Sequence, residues 1–404
     1  FGSVPEPLTI YKNIFSFPKG HYGHFSKNKL KIKKYYQDEY EPKINQSYSE
    51  IVQNTKELLH KSVKRHLISD APIGTFLSGG LDSSAITAIA AQYKSDLHTL
   101  SLDFHEKGLS EKYYQELIVK KYNTNHTNYI IDEKIFLENI HQFVNSLDQP
   151  TVDGLNTFFV SKAAVDSGLK AVLSGVGGDE IFYGYPSFKR AKKVKALSVL
   201  PSYLINLITK NKKLEKLDYL KVGNDISIYL PLSTVFSPFE IAKILDINVQ
   251  DIYRTMRKHL NQFNDLNIKN LDDKISFFEL NLYMKNQLLR DTDVFGMAHS
   301  LEIRVPLLDK DLVDYVLKVQ PKHKYKKNIN KSLLADATED LVPSEVITRK
   351  KKGFEIPFKY IFLSRLSFSL DQGLYALAYF NLTFFKWSLN LNFVDGSILL
   401  IISK

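Results

Sequence analysis

The string Ser78-Gly79-Gly80-Leu81-Asp82-Ser83-Ser84 carries the densest chemistry in the chain. It follows an apolar run at 73–77, predicted as a strand, and leads into an Ala/Ile-rich helix predicted over 84–93. Two glycines let backbone N–H groups close on an anion with no Cβ in the way. Ser78 and Ser83 add hydroxyl donors, and the helix start aims its positive end at the same point. Asp82 conflicts with that pattern unless a divalent cation lies between its carboxylate and the anion. A Mg2+ shared with phosphate oxygens removes the conflict. The loop lacks the lysine of a Walker motif, so it is not built for terminal phosphoryl transfer. The plain alternative is a tight turn with an Asp or Ser cap. The full string at a strand–helix junction favours the phosphate loop.

A second glycine string, Ser174-Gly175-Val176-Gly177-Gly178-Asp179-Glu180, follows a predicted strand at 169–173. It again offers close backbone approach and an acidic pair at a strand end. Asp82 and Asp179 both come just after strands of one presumed sheet. Converging carboxylates repel unless a cation sits between them, so the pair is read as ligands of one metal. Two unrelated turns are the alternative.

The elements that must position these loops follow from the hydrophobic pattern. A helical period runs through 45–68, with Ile51, Val52, Thr55, Leu58, Leu59, Val63 and Leu67 on one face. Strands are predicted at 73–77, 97–104, 127–131 and 169–173. Helices are predicted at 84–93, 111–122, 133–147 and 155–167. Such alternation implies βαβ units and a parallel sheet, whose ligands sit beyond the carboxyl ends of the strands. Residues 190–345 show no strand alternation and are expected to be mostly helical. The basic run 189–195 is expected to be a solvated helix face. Residues 1–36 look like short strands joined by turns at Pro5, Pro7 and Pro18-Lys19-Gly20.

Composition narrows the class. The 404 residues suggest two or three units at ~150 residues each. The hydrophobic fraction of 44% is enough for a packed core, which excludes global disorder. There is no cysteine, so disulfides, thiolate metal sites and a cysteine nucleophile are excluded from this chain. The net charge of +10 comes mostly from scattered lysine, without an Arg-rich stripe, so no nucleic-acid partner is expected. No apolar run reaches the ~20 residues of a membrane helix and no targeting segment is visible, so no membrane span and a cytoplasmic location are expected.

The two glycine strings are joined by Asp148-Gln149-Pro150-Thr151-Val152-Asp153-Gly154-Leu155-Asn156 and by the stretch from Arg290-Asp291-Thr292-Asp293 to Pro306-Leu307-Leu308-Asp309. Together they resemble the glutamine-hydrolysing asparagine synthetases, over about residues 1–360. The resemblance implies an α/β fold: a parallel doubly wound sheet of the ATP-pyrophosphatase type, with a large helical C-terminal part and a short β remnant at the N-terminus. It divides the chain into a remnant of glutaminase-domain strands at 1–40, a synthetase domain at 45–360 and an atypical apolar tail at 361–404. Within the synthetase domain the α/β core covers about 45–190.

The implied activity is ATP-dependent amide formation by an AMP-forming carbon–nitrogen ligase. A carboxylate is adenylated with release of pyrophosphate, and ammonia then attacks the acyl carbon. The acceptor is aspartate or, as in bacterial amidotransferase homologues associated with surface polysaccharides, a sugar carboxylate. ATP and Mg2+ are the implied cofactors. By motif position Asp82 and Asp179 hold the metal and are catalytic. Ser78, Gly79, Gly80 and Ser83 cradle pyrophosphate, and Phe76, Leu102, Ser174 and Gly175 contact the nucleotide. In Arg349-Lys350-Lys351-Lys352-Gly353-Phe354 the family's catalytic lysine falls at Lys351.

The resemblance has departures. The family's glutaminase uses an N-terminal cysteine, which this chain lacks, so glutaminase activity is expected to be absent. Ammonia then comes from solution or from a separate glutaminase partner, and a homodimer is allowed. Val176 stands where asparagine synthetases carry a glutamate, and a valine cannot accept a proton. A β-lactam-synthetase-like or cyclase-like ligase using an internal amine is therefore an alternative. A truncated, non-catalytic fragment is another.

Overall fold

The computed structural model describes residues 2–103, 111–263, 266–325 and 329–350. Lys351 and the tail at 361–404 lie outside the described residues.

The chain opens with a hairpin of β1 (His21–Ser26) and β2 (Lys29–Lys34). Its two turn residues, Lys27 and Asn28, both take positive φ, which matches the twist of a tight antiparallel pair. Next comes α1 (Tyr48–His66), started by a reciprocal capping box between Ser47 and Glu50. Strands and helices then alternate: β3 (Ile73–Phe76), α2 (Leu81–Tyr93), β4 (His98–Asp103), α3 (Lys112–Tyr122) and β5 (Asn125–Ile130). The series ends with α4 (Glu133–Ser146), α5 (Gly154–Asp166), β6 (Ala171–Leu173) and the single turn α6 (Gly178–Ile181). Six helices follow: α7 (Pro186–Ser198), α8 (Ser202–Thr209), α9 (Ile226–Ser233), α10 (Pro238–Leu245), α11 (Val249–Leu260) and α12 (Leu271–Phe278). The described chain closes with α13 (Leu289–Met297), β7 (Glu302–Arg304), α14 (Lys310–Lys318), α15 (Ser332–Ala337) and α16 (Ser344–Thr348). Every strand and helix expected between 45 and 173 is present, within a few residues at each end, whereas of the short strands expected in 1–36 only the β1–β2 hairpin forms among the described residues and no strand flanks Pro5 or Pro7.

The chain divides into two compact units. The described residues of one fall within 1–41 and 186–286. In this unit α7 keeps Lys189, Arg190, Lys192, Lys193 and Lys195 exposed and buries Phe188, Ala191 and Val194, as its basic run predicted. Its interior also holds a polar knot, where Ser187 Oγ and Tyr229 Oη donate to the two oxygens of Glu279 at 2.8 and 3.0 Å.

The other unit, within 42–185 and 287–380, holds the sheet. Its five strands lie in the order β5-β4-β3-β6-β7, and every pair is parallel. The sheet is doubly wound. On one face Thr75 of β3 meets Thr87 of α2 through their hydroxyls at 2.9 Å. On the other, Leu100, Leu102 and Val172 join Phe136, Phe143, Phe158, Phe159 and Phe295 from α4, α5 and α13 in one core. Phe295 stacks on Phe143 at 4.8 Å and meets Phe158 edge-on at 6.2 Å.

β7 departs from the expectation that 190–345 lacks strands. It is three residues long, and Glu302 and Arg304 flank its one apolar residue, so no hydrophobic run marks it. Its place comes from pairing with β6 and from Arg304, which pairs with Glu302 at 3.0 Å and donates to the Ile68 carbonyl at 2.7 Å. Among the described residues no single helix is long and apolar enough to cross a membrane.

The aromatic layer predicts that Phe295→Ala lowers unfolding free energy by about 3–5 kcal/mol. Urea denaturation measures this, and a loss below ~1 kcal/mol would show that the layer does not hold α13 to the sheet.

Candidate active site

The sheet order fixes where a ligand can sit. From β3 the chain first builds outward through β4 to β5, then returns to the other side of β3 with β6 and β7. The crevice beyond the carboxyl ends of β3 and β6 is therefore the point where strand order reverses, the usual ligand position in an open α/β sheet. Both glycine strings emerge there. The first links β3 to α2 and the second links β6 to α6.

In the first loop, Gly79 has φ +74°, a conformation in which a side chain is strained. The Ser78 and Ser83 hydroxyls lie 3.0 Å apart, Ser83 donates to the Gly80 carbonyl at 3.2 Å, and the Gly80 N–H donates to Ser78 Oγ at 3.3 Å. Gly80 is the N-cap of α2, so the helix starts at Leu81, three residues before its expected start, and its positive end lies at this loop. Phe76 ends β3 and Leu102 lies buried near the end of the neighbouring β4. Ser174 is buried, and its N–H extends the ladder to the Arg304 carbonyl at 2.8 Å.

The two loops pack directly on each other. A Cβ on Gly175 would come within 2.9 Å of the Ser83 nitrogen, and one on Gly178 would collide with the Asp82 carboxylate. Asp82, Ser83, Gly175 and Asp179 are thus brought together. The residue that joins the aspartates is Lys331, for which the sequence reading had no role. Its Nζ lies 2.5 Å from Asp82 Oδ2 and 3.0 Å from Asp179 Oδ1, and its side chain is 8% exposed. Burial alone pulls the Lys331 ammonium down, but the charges of Asp179 and Asp82 outweigh it and hold the group above the ordinary lysine range. Lys331 also takes φ +54° as the N-cap of α15. A lysine at a helix N-terminus opposes the dipole, so its placement there answers to the aspartates and not to the helix.

A second contact was also missed. The Arg349 guanidinium donates to the Gly79 carbonyl at 2.7 Å, pairs with Glu111 and lies over the Tyr114 ring, 4.4 Å from its centre. It ties the end of α16 to the first glycine loop. The expected catalytic Lys351, two residues on, is outside the described residues. Tyr183, at φ +62°, carries the fully buried Lys324 ammonium 4.4 Å above its ring. Val176 is half-buried in the second loop.

The Asp82/Asp179 pair fits Mg2+ in donor chemistry, since that ion is held by one or two carboxylates together with substrate phosphates. Among the described residues no group of three or more His, Asp or Glu could hold a metal. A metal here would complete its shell with phosphate and water oxygens.

Because α5 and α13 lead into parallel strands, both begin at the same carboxyl edge of the sheet. There Arg290 forks onto Asp148, with Nε–Oδ1 3.1 Å and Nη2–Oδ2 2.5 Å, and the buried Asp291 accepts from Thr151 Oγ1 at 2.6 Å. Burial pushes the Asp291 carboxyl up to about 8. Asp153 and Asp148 add to the rise, while Thr151 and Arg290 oppose it.

A family model of asparagine synthase matches residues 54–379. The chain belongs to the asparagine synthase family. Relatives in this family include the glutamine-hydrolysing asparagine synthetases 1 and 3 of Bacillus subtilis. Asparagine synthetase 1 is 27% identical, over 89% of this chain and 58% of its own length, and asparagine synthetase 3 is 30% identical, over 85% and 55%. The chain thus spans little more than half the length of these relatives. A solved NH3-dependent NAD synthetase from Campylobacter jejuni is 14% identical over 46% of this chain and 93% of its own, with a TM-score of 0.25.

The raised Asp291 value makes a prediction about stability. The folded protein holds a proton that the unfolded chain releases near pH 4, so this stabilising contribution is full below that pH and is lost as pH rises towards about 8. The decline approaches ~1.4 kcal/mol per pH unit if one proton is involved. Asp291→Asn, neutral throughout, flattens it. Urea titrations of both proteins between pH 5 and 9 check this, and equal slopes would mean that Asp291 is ionised in the fold.

Proposed function

We propose that the chain is an ATP-dependent, AMP-forming carbon–nitrogen ligase of the asparagine-synthetase kind. The observation that carries the reading is the meeting of Asp82 and Asp179 at the sheet's reversal point, inside two glycine loops and around one buried lysine. Few arrangements other than a polyphosphate site bring two carboxylates, an ammonium and a helix N-terminus to one crevice.

A carboxylate oxygen of the acceptor attacks the α-phosphorus of ATP, and the bond to the β-phosphate breaks. Ammonia then attacks the acyl carbon and AMP leaves. Ser78, Ser83 and the N–H groups at the start of α2 hold the departing diphosphate. Lys331 and Lys351 offset charge gathering on it. Asp82 and Asp179 would hold Mg2+, which would supply charge neutralisation at the phosphate oxygens. The acceptor is an aspartate-like or sugar carboxylate, bound along the edge formed by Asp148, Thr151, Asp153, Arg290 and Asp291. Val176 supports a different way of taking the proton from the amine than the family's glutamate provides.

A separate glutaminase is the proposed ammonia source. Phe25, Leu30 and Ile32 share one face of the β1–β2 hairpin and are exposed, an apolar ribbon of the sort that a partner covers.

Pyrophosphate release from ATP with Mg2+, ammonium and a panel of carboxylates tests the function. At least one carboxylate supports release, and Asp82→Ala reduces the rate by ~10²-fold or more. No release with any carboxylate favours a non-catalytic chain. Release with no use of ammonium favours an internal amine.

A further inference from the structure

Lys331 stands where charge balance calls for a metal. Two aspartate oxygens, from loops at neighbouring strand ends, meet the same ammonium at 2.5 and 3.0 Å, and the three side chains are 8–18% exposed. Packing leaves this group little freedom to spread. Added Cβ atoms at Gly178 and Gly184 would collide with the Asp82 and Asp179 carboxylates.

We infer that Lys331 is a stand-in for the divalent cation: it holds the Asp82/Asp179 pair together and keeps the metal out until a polyphosphate draws its ammonium away. The inference rests on the proposed function, which makes the pair the metal's ligands. Two charges explain it. Without a cation the carboxylates repel each other in a poorly solvated corner. With the ammonium in place, a divalent ion entering the pair meets a positive charge within contact distance of both ligands. Polyphosphate oxygens resolve the competition, because they offer the ammonium equally strong charge-assisted hydrogen bonds. The four-carbon stem of Lys331 lets its head change partners while the backbone stays at the start of α15. Metal and nucleotide then bind with positive coupling, each tightening the other.

The experiment is Mn2+ binding, followed by the paramagnetic resonance of the free ion, to the nucleotide-free wild type and to Lys331→Met. Melting temperature in EDTA and in Mg2+ is measured in parallel. The variant is expected to bind Mn2+ at least ~10-fold more tightly than the wild type. Its melting temperature is expected to rise with Mg2+ alone, whereas that of the wild type rises only when ATP and Mg2+ are added together. If the variant does not fold in EDTA, recovery of folded protein on refolding in Mg2+ is the expected result, and no recovery overturns the inference. Equal Mn2+ binding by wild type and variant also overturns it and leaves the proposed function standing. Failure of ATP with Mg2+ to shift the wild-type melting temperature beyond ATP in EDTA sinks the metal–nucleotide reading itself.

Discussion

Two aspartates held at adjoining strand ends repel each other, and the geometry of this chain does not let them move apart. Asp82 is fixed by the turn from β3 into α2, and Asp179 by the turn from β6 into α6. β3 and β6 are neighbours in register, Ile73 against Ala171 and Thr75 against Leu173, so the distance between the loops is set by the sheet. A positive charge between them is then a condition of folding as well as of chemistry. Lys331 supplies it at the expense of a left-handed backbone and a lysine at the wrong end of a helix. Those local penalties mark a position where the fold overrides residue preference.

The glycines follow from the same constraint. The second string passes so close to the first that no Cβ fits between it and the Asp82 side chain or the Ser83 nitrogen. Side chains there would push the strand ends apart and separate the carboxylates from their shared cation. Arg349 acts on the outer side of the first loop. By taking the Gly79 carbonyl it fixes the peptide whose N–H belongs to Gly80 and donates to Ser78 Oγ.

Much of this was legible in the sequence because it is local. The alternation from 45 to 173, the strand–loop–helix junctions and both glycine strings are written in consecutive residues, and each fixes its own backbone. What escaped is what depends on distant parts of the chain. Lys331 follows Asp82 by some two hundred and fifty residues, and no spacing rule connects them. β7 is too short and too polar to be seen without β6 beside it. The pairing of Arg349 with Glu111 and the Gly79 carbonyl joins three segments through one planar cation, which no single window contains. Even the adjacency of the two strings was read from the conflict of their charges, whereas the strand order that produces it came only with the fold.

Three aspartates at one edge of this sheet show that the same side chain is handled in two ways. Asp82 and Asp179 share a buried ammonium, which their charges hold above the ordinary lysine range against the pull of burial. Asp291 is buried beside Asp148 and Asp153, and the fork of Arg290 is directed at Asp148, so its carboxyl retains its proton close to neutral pH. The difference lies in who receives the cation. On the proposed function, the lysine serves a side that would hold metal and phosphate, and the neutral acid serves a side where a buried anion would repel a carboxylate acceptor.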